Sequence, residues 1–462
     1  MEVRVARIEE KVKKWDLDFA RVSDFRCRPD STVDAQTIVE RPDITLYCLD
    51  DDRREAVFVE SPEGVDVTKR PFLFLAQYEN AQRTLTVSYE TLHELAAARG
   101  DRFQRLIPMH SVGRCGGTLV SRAFDRLGTV LSLDEPDVYN QIGALRPQNG
   151  SRDAELTKLV HSCTRLMFKP IHREVDTLFL KFRPSCIKIA DLVYNAYPAG
   201  RTMFLYRNAE TWARSAGRSI QKLMETLPHT ESTAEDPYLE LLSRLDISKP
   251  VDLSARAPAP AARRGRQTKS DAAKFNEHMS PLVRNYIKRA VLKQLTPRDK
   301  LTVLWLAVAQ RIPVLNGHCS TPLDYLLPYV QRIPPMKFLA LSWISPMQQY
   351  LAWHAQGIRM LAVQYETLVS APLPALQAIF EYCGLPVAEA AVAEGAFAED
   401  SQKNTPLSRD TVRAAHGALA PELLAQLHEI LREHPPTNTP DFVVPNSLVL
   451  RPAEPAAVSA PQ

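Results

Sequence analysis

The chain has 462 residues, of which 45% are hydrophobic and 24% are charged. These fractions are typical of a folded globular protein and exclude a fibrous, collagenous or wholly disordered chain. Lysine and arginine number 57 against 54 aspartates and glutamates, so the formal net charge is only +3. A balance this even argues against a nucleic-acid partner, and any anion site has to be local.

Seven cysteines are spread thinly through the sequence and form no CxxC pair. This usage indicates reduced thiols and argues against a disulfide framework or a zinc knuckle. The first residues, MEVRVARIEEKVKKW, are charged and lack the apolar run of a signal peptide. The longest apolar stretch, Leu301 to Ala309, is too short to span a membrane. We therefore expect a cytoplasmic protein with no membrane span.

Residues 1–100 are predicted to form a small N-terminal α+β domain of unknown role, which could recruit a protein partner. Short segments rich in β-branched and aromatic residues, separated by polar turns, indicate its strands. The predicted strands are Ile44–Cys48, Ala56–Glu60, Phe72–Leu75 and Thr84–Val87. A helix is predicted to follow near Tyr89–Ala98.

Residues 101–450 alternate between strand-like and helical patterns, which predicts an α/β domain with a parallel sheet. The predicted strands are Phe103–Met109, Thr129–Leu133, Thr177–Phe182, Thr202–Tyr206 and Met360–Tyr365. Later helices are predicted over Met279–Leu295, Thr302–Gln310, Ser342–Gln356 and Leu373–Tyr382. Residues 256–274 are rich in small residues, proline and basic residues, so a flexible basic insertion is predicted over 228–278. Residues 451–462 are predicted to form a disordered tail.

A glycine-rich loop, SVGRCGGT at residues 111–118, joins the first predicted strand of this domain to a helix. The backbone N–H groups of such a turn and the helix N-terminus can hold an anion. The loop is not a nucleotide-triphosphatase P-loop, because Gly117 is followed by Thr118 and Leu119 rather than by Lys and Ser or Thr. A tight strand-to-helix turn without a ligand is the alternative interpretation.

A second polar segment, FLYRNAETWARS at residues 204–215, places Arg207 at the end of a predicted strand and Ser215 in the next helix. Ligands bind at the carboxyl ends of strands in open α/β sheets. An arginine can bind a phosphate bidentately, and a serine hydroxyl can add a further hydrogen bond. A surface arginine at the edge of a sheet is the alternative.

Together these segments resemble the sulfotransferase family that uses 3′-phosphoadenosine-5′-phosphosulfate (PAPS). RCGGT at 114–118 matches its [KR]-S-G-[TS]-T loop, and Arg207 with Ser215 matches its second motif. LSLDEPDVY at 131–139 and the YETL and YCGLP segments within 362–386 resemble two further motifs, so the matches cover about residues 104–390. The resemblance implies a three-layer parallel sheet of P-loop nucleotide-binding type with helical insertions.

The resemblance also implies roles for individual residues. Arg207 and Ser215 would bind the 3′-phosphate of PAPS, and Lys181 would steady the sulfonyl oxygens in a loose in-line transition state that requires no metal. Ser401 and Gln402, in a late segment, would add donors to the 3′-phosphate, the alternative being a polar surface loop. The residues implied to hold the 5′-phosphosulfate end are Arg114, Cys115, Gly116, Gly117, Thr118 and Leu119.

The general base is where the sequence departs from the family. Many members carry a catalytic histidine two residues after the position of Lys181, and here that residue is Arg183. Glu135, in LDEP, is the predicted base, and His110, just before the loop, is the second candidate. A helix-start carboxylate and a buried structural histidine are the respective alternatives. Cys115 stands where the family has serine, and a packed, inert thiol is expected there rather than a reactive one.

We therefore expect a sulfotransferase that moves a sulfuryl group from PAPS to a hydroxyl, or less readily an amine, of a small molecule, glycan or lipid. A P-loop small-molecule kinase is the alternative enzyme. A catalytically silent nucleotide-binding module, with residues 1–100 as an interaction surface, is the alternative outside enzymes. The sequence specifies neither the acceptor nor the oligomeric state.

Overall fold

The computed structural model describes residues 2–13, 18–169, 174–225, 281–309, 335–403, 405, 407–408 and 419–450. The insertion predicted at 228–278 and the tail predicted at 451–462 lie outside the described residues. Within the described ranges the chain forms two sheets of five strands each, one from the first ninety residues and one from the rest.

The first sheet is antiparallel throughout, with strand order β2-β1-β5-β4-β3. Its strands are β1 (Glu2–Lys11), β2 (Phe25–Asp34), β3 (Ile44–Asp50), β4 (Glu55–Glu60) and β5 (Arg83–Ser88). The accompanying helices are α1 (Gln36–Glu40), α2 (Leu73–Asn80) and α3 (Tyr89–Arg99).

One strand prediction in this sheet is wrong, and two strands were not predicted. The strand expected at Phe72–Leu75 lies at the start of helix α2, because a run of four apolar residues fits a buried helix as well as a strand. Strands β1 and β2 form a long ribbon whose side chains are mostly exposed. Strand β2 lacks the apolar alternation that indicates a half-buried strand, and β1 shows it only at Val3 and Val5.

The second sheet is parallel throughout, with strand order β10-β9-β6-β8-β7. Its strands are β6 (Arg105–Ser111), β7 (Val130–Asp134), β8 (Thr177–Lys181), β9 (Met203–Tyr206) and β10 (Leu361–Gln364). All five were predicted to within two residues at either end. The α/β class with a parallel sheet is thereby confirmed.

Helices flank this sheet and follow each of its strands. They are α4 (Gly117–Asp125), α5 (Val138–Leu145), α6 (Asp153–Met167), α7 (Ala190–Ala196), α8 (Ala209–Glu225), α9 (Pro281–Gln294), α10 (Pro297–Ala309), α11 (Pro335–Ala355), α12 (Tyr365–Ser370), α13 (Pro372–Cys383), α14 (Ala390–Glu394) and α15 (Pro421–Arg432). Both faces of the sheet are covered, because Leu178 and Leu180 of β8 pack into one apolar cluster and Phe179 packs into another.

The antiparallel sheet packs against helices α5 and α6 on one side of the parallel sheet. Leu46 and Phe58 of the first sheet belong to the same buried cluster as Tyr139 of α5 and Leu159 of α6. The boundary predicted near residue 100 falls between α3 and β6, and the division into two domains stays a prediction. Among the described residues, no helix is long and apolar enough to cross a membrane.

Candidate functional site

The carboxyl ends of the parallel strands meet at one edge of the sheet. Asp134, the last residue of β7, is the register partner of Lys181 at the end of β8, and Lys181 in turn pairs across to Met109 of β6. After β6 the chain crosses to β7 and β8 on one side, and later to β9 and β10 on the other. A reversal of this kind opens a crevice beside the central strand, where ligands bind in α/β proteins.

The glycine-rich loop that leaves β6 is tightly enclosed. Gly113 and Gly116 both have positive φ angles, of 72° and 83°. A Cβ atom on Gly113 would lie 2.9 Å from Pro184 Cγ, and one on Gly116 would lie 2.8 Å from Tyr365 Cδ2. Glycine is therefore required at both positions for its conformation and for its lack of a side chain.

Helix α4 begins directly at this loop. The N–H groups of the first turn of a helix have no acceptor within the helix. In α4 the N–H of Val120 donates to Gly116 O over 3.0 Å, so the N–H groups of Gly117, Thr118 and Leu119 precede the first bonded one. The Cα of Gly117 faces Lys181, since a Cβ there would lie 3.2 Å from the lysine Cε.

Arg114 lies within the loop with a positive φ of 49°. Its Nη1 donates to Gln402 Oε1 over 3.1 Å, whereas its buried Nε has no hydrogen-bond partner among the described residues. Burial, and secondly the charge of Arg207, lower the pKa of Arg114 to about 10. A buried guanidinium of this kind would be stabilised by an anion next to it.

Arg207 follows β9 and lies against the same loop. Its Nη1 donates to the carbonyl oxygen of Arg114 over 3.3 Å, and its Nε donates to Thr211 Oγ1 over 3.0 Å. The guanidinium carbon is 4.3 Å from the ring centre of Tyr365, and Nε is 3.8 Å from Glu366 Oε1. Burial lowers the pKa of Arg207.

Helix α8 contributes a third arginine, Arg218, which the sequence motifs did not indicate. The charge of Arg218 acts on both Arg114 and Arg207, lowering the pKa of each. Arg218 lies three residues after the buried Ser215, so the two share a face of α8. That spacing is the signal that could have identified Arg218 from the sequence.

Two tryptophans hydrogen-bond to backbone carbonyl groups of the loop and of the residue after β9. Trp212 donates its indole N–H to Gly113 O over 2.8 Å, and Trp343 donates its indole N–H to Arg207 O over 2.9 Å. Both side chains are buried. Each tryptophan therefore holds a backbone carbonyl of the site in place, while its ring packs in the core.

Lys181 is buried between two carboxylates. Its Nζ lies 2.6 Å from Glu135 Oε1 and 3.9 Å from Asp134 Oδ2. Burial alone lowers the pKa of this lysine, but the charges of Glu135 and Asp134 outweigh burial and raise it. Lys181 therefore carries a full positive charge beside the first turn of α4.

Glu135 has a positive φ of 55°, and its N–H donates to Lys181 O over 2.7 Å. This conformation turns its carboxylate towards the end of β8. Asp134, which the sequence analysis also missed, is buried and contacts Ser121 Oγ. Burial raises the pKa of Asp134 to about 6, against the opposing charge of Lys181.

His110 lies inside the sheet below the loop. It is fully buried against Phe182, with ring centres 4.8 Å apart, and neither ring nitrogen has a partner among the described residues. Burial lowers its pKa to about 3, so the ring is neutral at pH 7. Cys115 is also buried, its Sγ donates to Leu205 O over 3.4 Å, and burial raises its pKa to about 11.

The late polar segment reaches the site through Gln402. Its Oε1 accepts from Arg114, and its Nε2 donates to Thr118 Oγ1 over 3.5 Å. Ser401 lies in the same turn as Gln402. The structure thus brings the predicted loop, Lys181, Glu135, Arg207 and Gln402 to one edge of the sheet. In the described part of the chain, no group of three or more metal-ligating side chains is present.

No family model matches this chain, and no curated protein matches it in sequence. Among solved structures, it is similar to the crystal structure of a sulfotransferase from Alicyclobacillus acidocaldarius, with a TM-score of 0.32 and 10% sequence identity. That similarity covers 72% of this chain and 93% of the other. The chemistry of the site is therefore inferred from its own side chains.

Proposed function

We propose that this protein is a sulfotransferase that moves a sulfuryl group from PAPS to a hydroxyl acceptor. The observation that carries the proposal is the convergence of Arg114, Lys181 and Arg207 around the first turn of α4. Glu135 lies beside Lys181 and Glu366 beside Arg207, whereas Arg114 has no carboxylate partner among the described residues, and burying a cation without an anion is costly. PAPS brings two anionic groups, the 5′-phosphosulfate and the 3′-phosphate, which would account for cations on both sides of the loop.

The 5′-phosphosulfate would lie at the N-terminus of α4. There the free N–H groups of Gly117, Thr118 and Leu119 and the helix dipole favour an anion. Arg114, whose Nε has no partner among the described residues, would bind the same group. Gln402, which contacts Arg114 and Thr118, would cover this group rather than the 3′-phosphate for which the resemblance implied it. Thr118 would add its hydroxyl.

The 3′-phosphate would lie between Arg207 and the buried face of α8. Ser215 would donate its hydroxyl there, and we add Arg218 to the residues implied by the family resemblance. Two guanidinium groups that repel each other in the free protein would both be attracted to one phosphate. This phosphate distinguishes PAPS from ATP, so this part of the site would set donor specificity.

Transfer would proceed in line, with Lys181 against the sulfonyl oxygens. The acceptor oxygen forms a bond to sulfur while the bond from sulfur to the 5′-phosphate oxygen breaks, releasing 3′-phosphoadenosine-5′-phosphate (PAP). The hydroxyl proton passes to Glu135, and the charge that develops on the leaving phosphate is stabilised by Lys181 and Arg114. Positioning and fixed positive charge supply most of the acceleration.

Ligand-induced thermal stabilisation tests this proposal. PAP is expected to raise the melting temperature, because a ligand present at 100 times its Kd stabilises the folded state by about 2.7 kcal/mol. ATP with magnesium is the comparison ligand, and stabilisation by ATP but not by PAP would support a kinase and reject the sulfotransferase. A screen with labelled PAPS over phenols, sugars and lipids then identifies the acceptor, and PAP binding without transfer to any of these would support the silent module.

A further inference from the structure

Arg183 lies two residues beyond Lys181, and its guanidinium is enclosed by rings from the first hundred residues. The guanidinium carbon is 3.9 Å from the ring centre of Phe74 and 4.5 Å from that of Phe19. Both rings are buried, and the arginine side chain is only 14% exposed. Stacking of this kind holds a planar cation in one orientation.

Asp137 fixes the polar side of the same guanidinium. Its Oδ1 lies 2.9 Å from Arg183 Nε, and its Oδ2 accepts from Nη2 over 3.4 Å. The same carboxylate accepts the backbone N–H of Ala20 over 2.7 Å. Asp137 is buried, so one carboxylate joins the arginine to the N-terminal part of the chain.

Gln141, one turn further along α5, makes a second connection to that part of the chain. Its Nε2 donates to Ala20 O over 3.1 Å, and its Oε1 accepts the N–H of Leu49 over 2.8 Å. The backbone next to Phe19 is therefore held at Asp137 and at Gln141. These hydrogen bonds place the Phe19 ring beside Arg183.

Glu135 is held between two cations from the end of β8. Lys181 Nζ contacts its Oε1, and Arg183 Nε lies 3.7 Å from its Oε2. In the proposed reaction Lys181 turns to the sulfonyl oxygens, whereas the clamped arginine keeps its place. We infer that Arg183 is a positioning residue: held by the first hundred residues, it keeps Glu135 aimed at the acceptor while Lys181 contacts the donor.

This inference rests on the proposed function and extends it to the first hundred residues. Its first test replaces Arg183 and measures transfer from labelled PAPS, both to the acceptor identified by the screen and to water. Arg183→Gln is expected to lower kcat about 10- to 100-fold, the scale of a misplaced general base. The KM for PAPS and the affinity for PAP should stay at the wild-type values, and Arg183→Lys should restore part of kcat because it keeps the charge.

The second test asks whether the aromatic clamp acts through Arg183. Phe74→Leu is expected to lower kcat about 3- to 10-fold, because a small displacement of a reacting group reduces the rate. In the Arg183→Gln background the same change should have no further effect on kcat. Phe58→Leu, at a fully buried ring of β4, is the matched control and should lower stability without changing kcat.

The outcomes separate the inference from the proposed function. If the wild type transfers sulfuryl and Arg183→Gln does so with the same kcat, the positioning role of Arg183 is overturned, but the proposed function is not. Effects of Phe74→Leu that are equal in both backgrounds would show that Phe74 acts through the general fold, and would overturn the clamp. Failure of the wild type to bind PAP, or to transfer sulfuryl to any acceptor or to water, would remove the proposed function and this inference with it.

Discussion

The ammonium group of Lys181 lies 2.6 Å from Glu135 Oε1, although the two residues are 46 positions apart. The parallel register explains the contact: Asp134 pairs with Lys181 across β7 and β8, and Glu135 turns back from the next position with a positive φ. The free protein therefore balances the cation of its proposed catalytic site with the carboxylate that would later accept the proton. Binding of the donor would compete for Lys181 and release Glu135.

Replacing Glu135 by glutamine separates binding from chemistry. Glu135→Gln keeps the shape of the side chain and removes the proton acceptor, so transfer is expected to fall about 100-fold or more. The affinity for PAP should not fall, because the carboxylate is proposed to contact the acceptor and because its removal frees Lys181 for the nucleotide. Steady-state transfer from PAPS and titration calorimetry with PAP measure the two effects. Glu433→Gln, at the partner of Lys337 on the surface, is the control. Wild-type turnover in Glu135→Gln would reject Glu135 as the base.

Replacing Arg207 by alanine tests the 3′-phosphate site. Loss of a charge-assisted contact costs about 1.5–3 kcal/mol, so Arg207→Ala is expected to weaken PAP binding about 10- to 100-fold. Binding of adenosine 5′-phosphate, which lacks the 3′-phosphate, should change much less. Calorimetry with both nucleotides on the wild type and the variant measures the difference, and Arg26→Ala on the exposed strand β2 controls for the loss of a positive charge. Equal losses for both nucleotides would place the 3′-phosphate elsewhere.

An alanine at Gly116 tests the enclosure of the loop. Gly116→Ala places an L-residue at a φ of 83° and its Cβ 2.8 Å from Tyr365, so it should lower both the melting temperature and the affinity for PAP. Gly64→Ala is the matched control, because Gly64 has a φ of 81° and no atom within 4 Å of the added Cβ. The control should cost only the backbone term of about 1–2 kcal/mol. Equal destabilisation of the two variants would mean that Tyr365 moves aside freely.

The buried carboxyl of Asp134 predicts a pH dependence of stability. Burial raises its pKa from 3.8 to about 6, so the folded protein binds this proton more tightly than the unfolded chain does. Its contribution to the free energy of unfolding is therefore fully present below pH 3.8 and is lost as the pH rises to about 6. Asp134→Asn should remove this dependence. The free energy of unfolding of the variant should therefore rise relative to that of the wild type across this pH window, and the difference should be constant at higher pH.

Urea unfolding of both proteins across this pH range measures the effect. Curves of unfolding free energy against pH that run parallel would contradict the prediction, because no proton uptake by Asp134 would then accompany folding. Asp176→Asn, at the partly exposed partner of Arg105, is the comparison variant for the loss of a carboxylate.

The parallel sheet was predictable because its strands are short apolar runs bounded by turns, a pattern that local sequence expresses fully. The segment Phe72–Leu75 was assigned wrongly because four consecutive apolar residues fit the period of a strand and the period of a helix equally well. Strands β1 and β2 were not predicted because most of their side chains are exposed, so their sequences show little apolar pattern.

Within the site, the sequence identified residues that lie at strand ends or in the loop but not the contacts between them. The hydrogen bond from Arg114 to Gln402 joins positions 288 residues apart, and no local pattern encodes such a distance. The same holds for Arg183, whose aromatic partners come from the first hundred residues. Only the packing of these residues against the rest of the chain brings Phe74 to its guanidinium.

The mutual repulsion of Arg114 and Arg207 has a practical consequence for handling the protein. Guanidinium groups attract tetrahedral oxyanions in general, so sulfate or phosphate from a buffer should occupy part of the proposed donor site. Melting temperatures recorded in such buffers would already include the free energy of binding that anion. Preparations in chloride or acetate, with ionic strength matched, give the reference state against which nucleotide binding and the variants above should be compared.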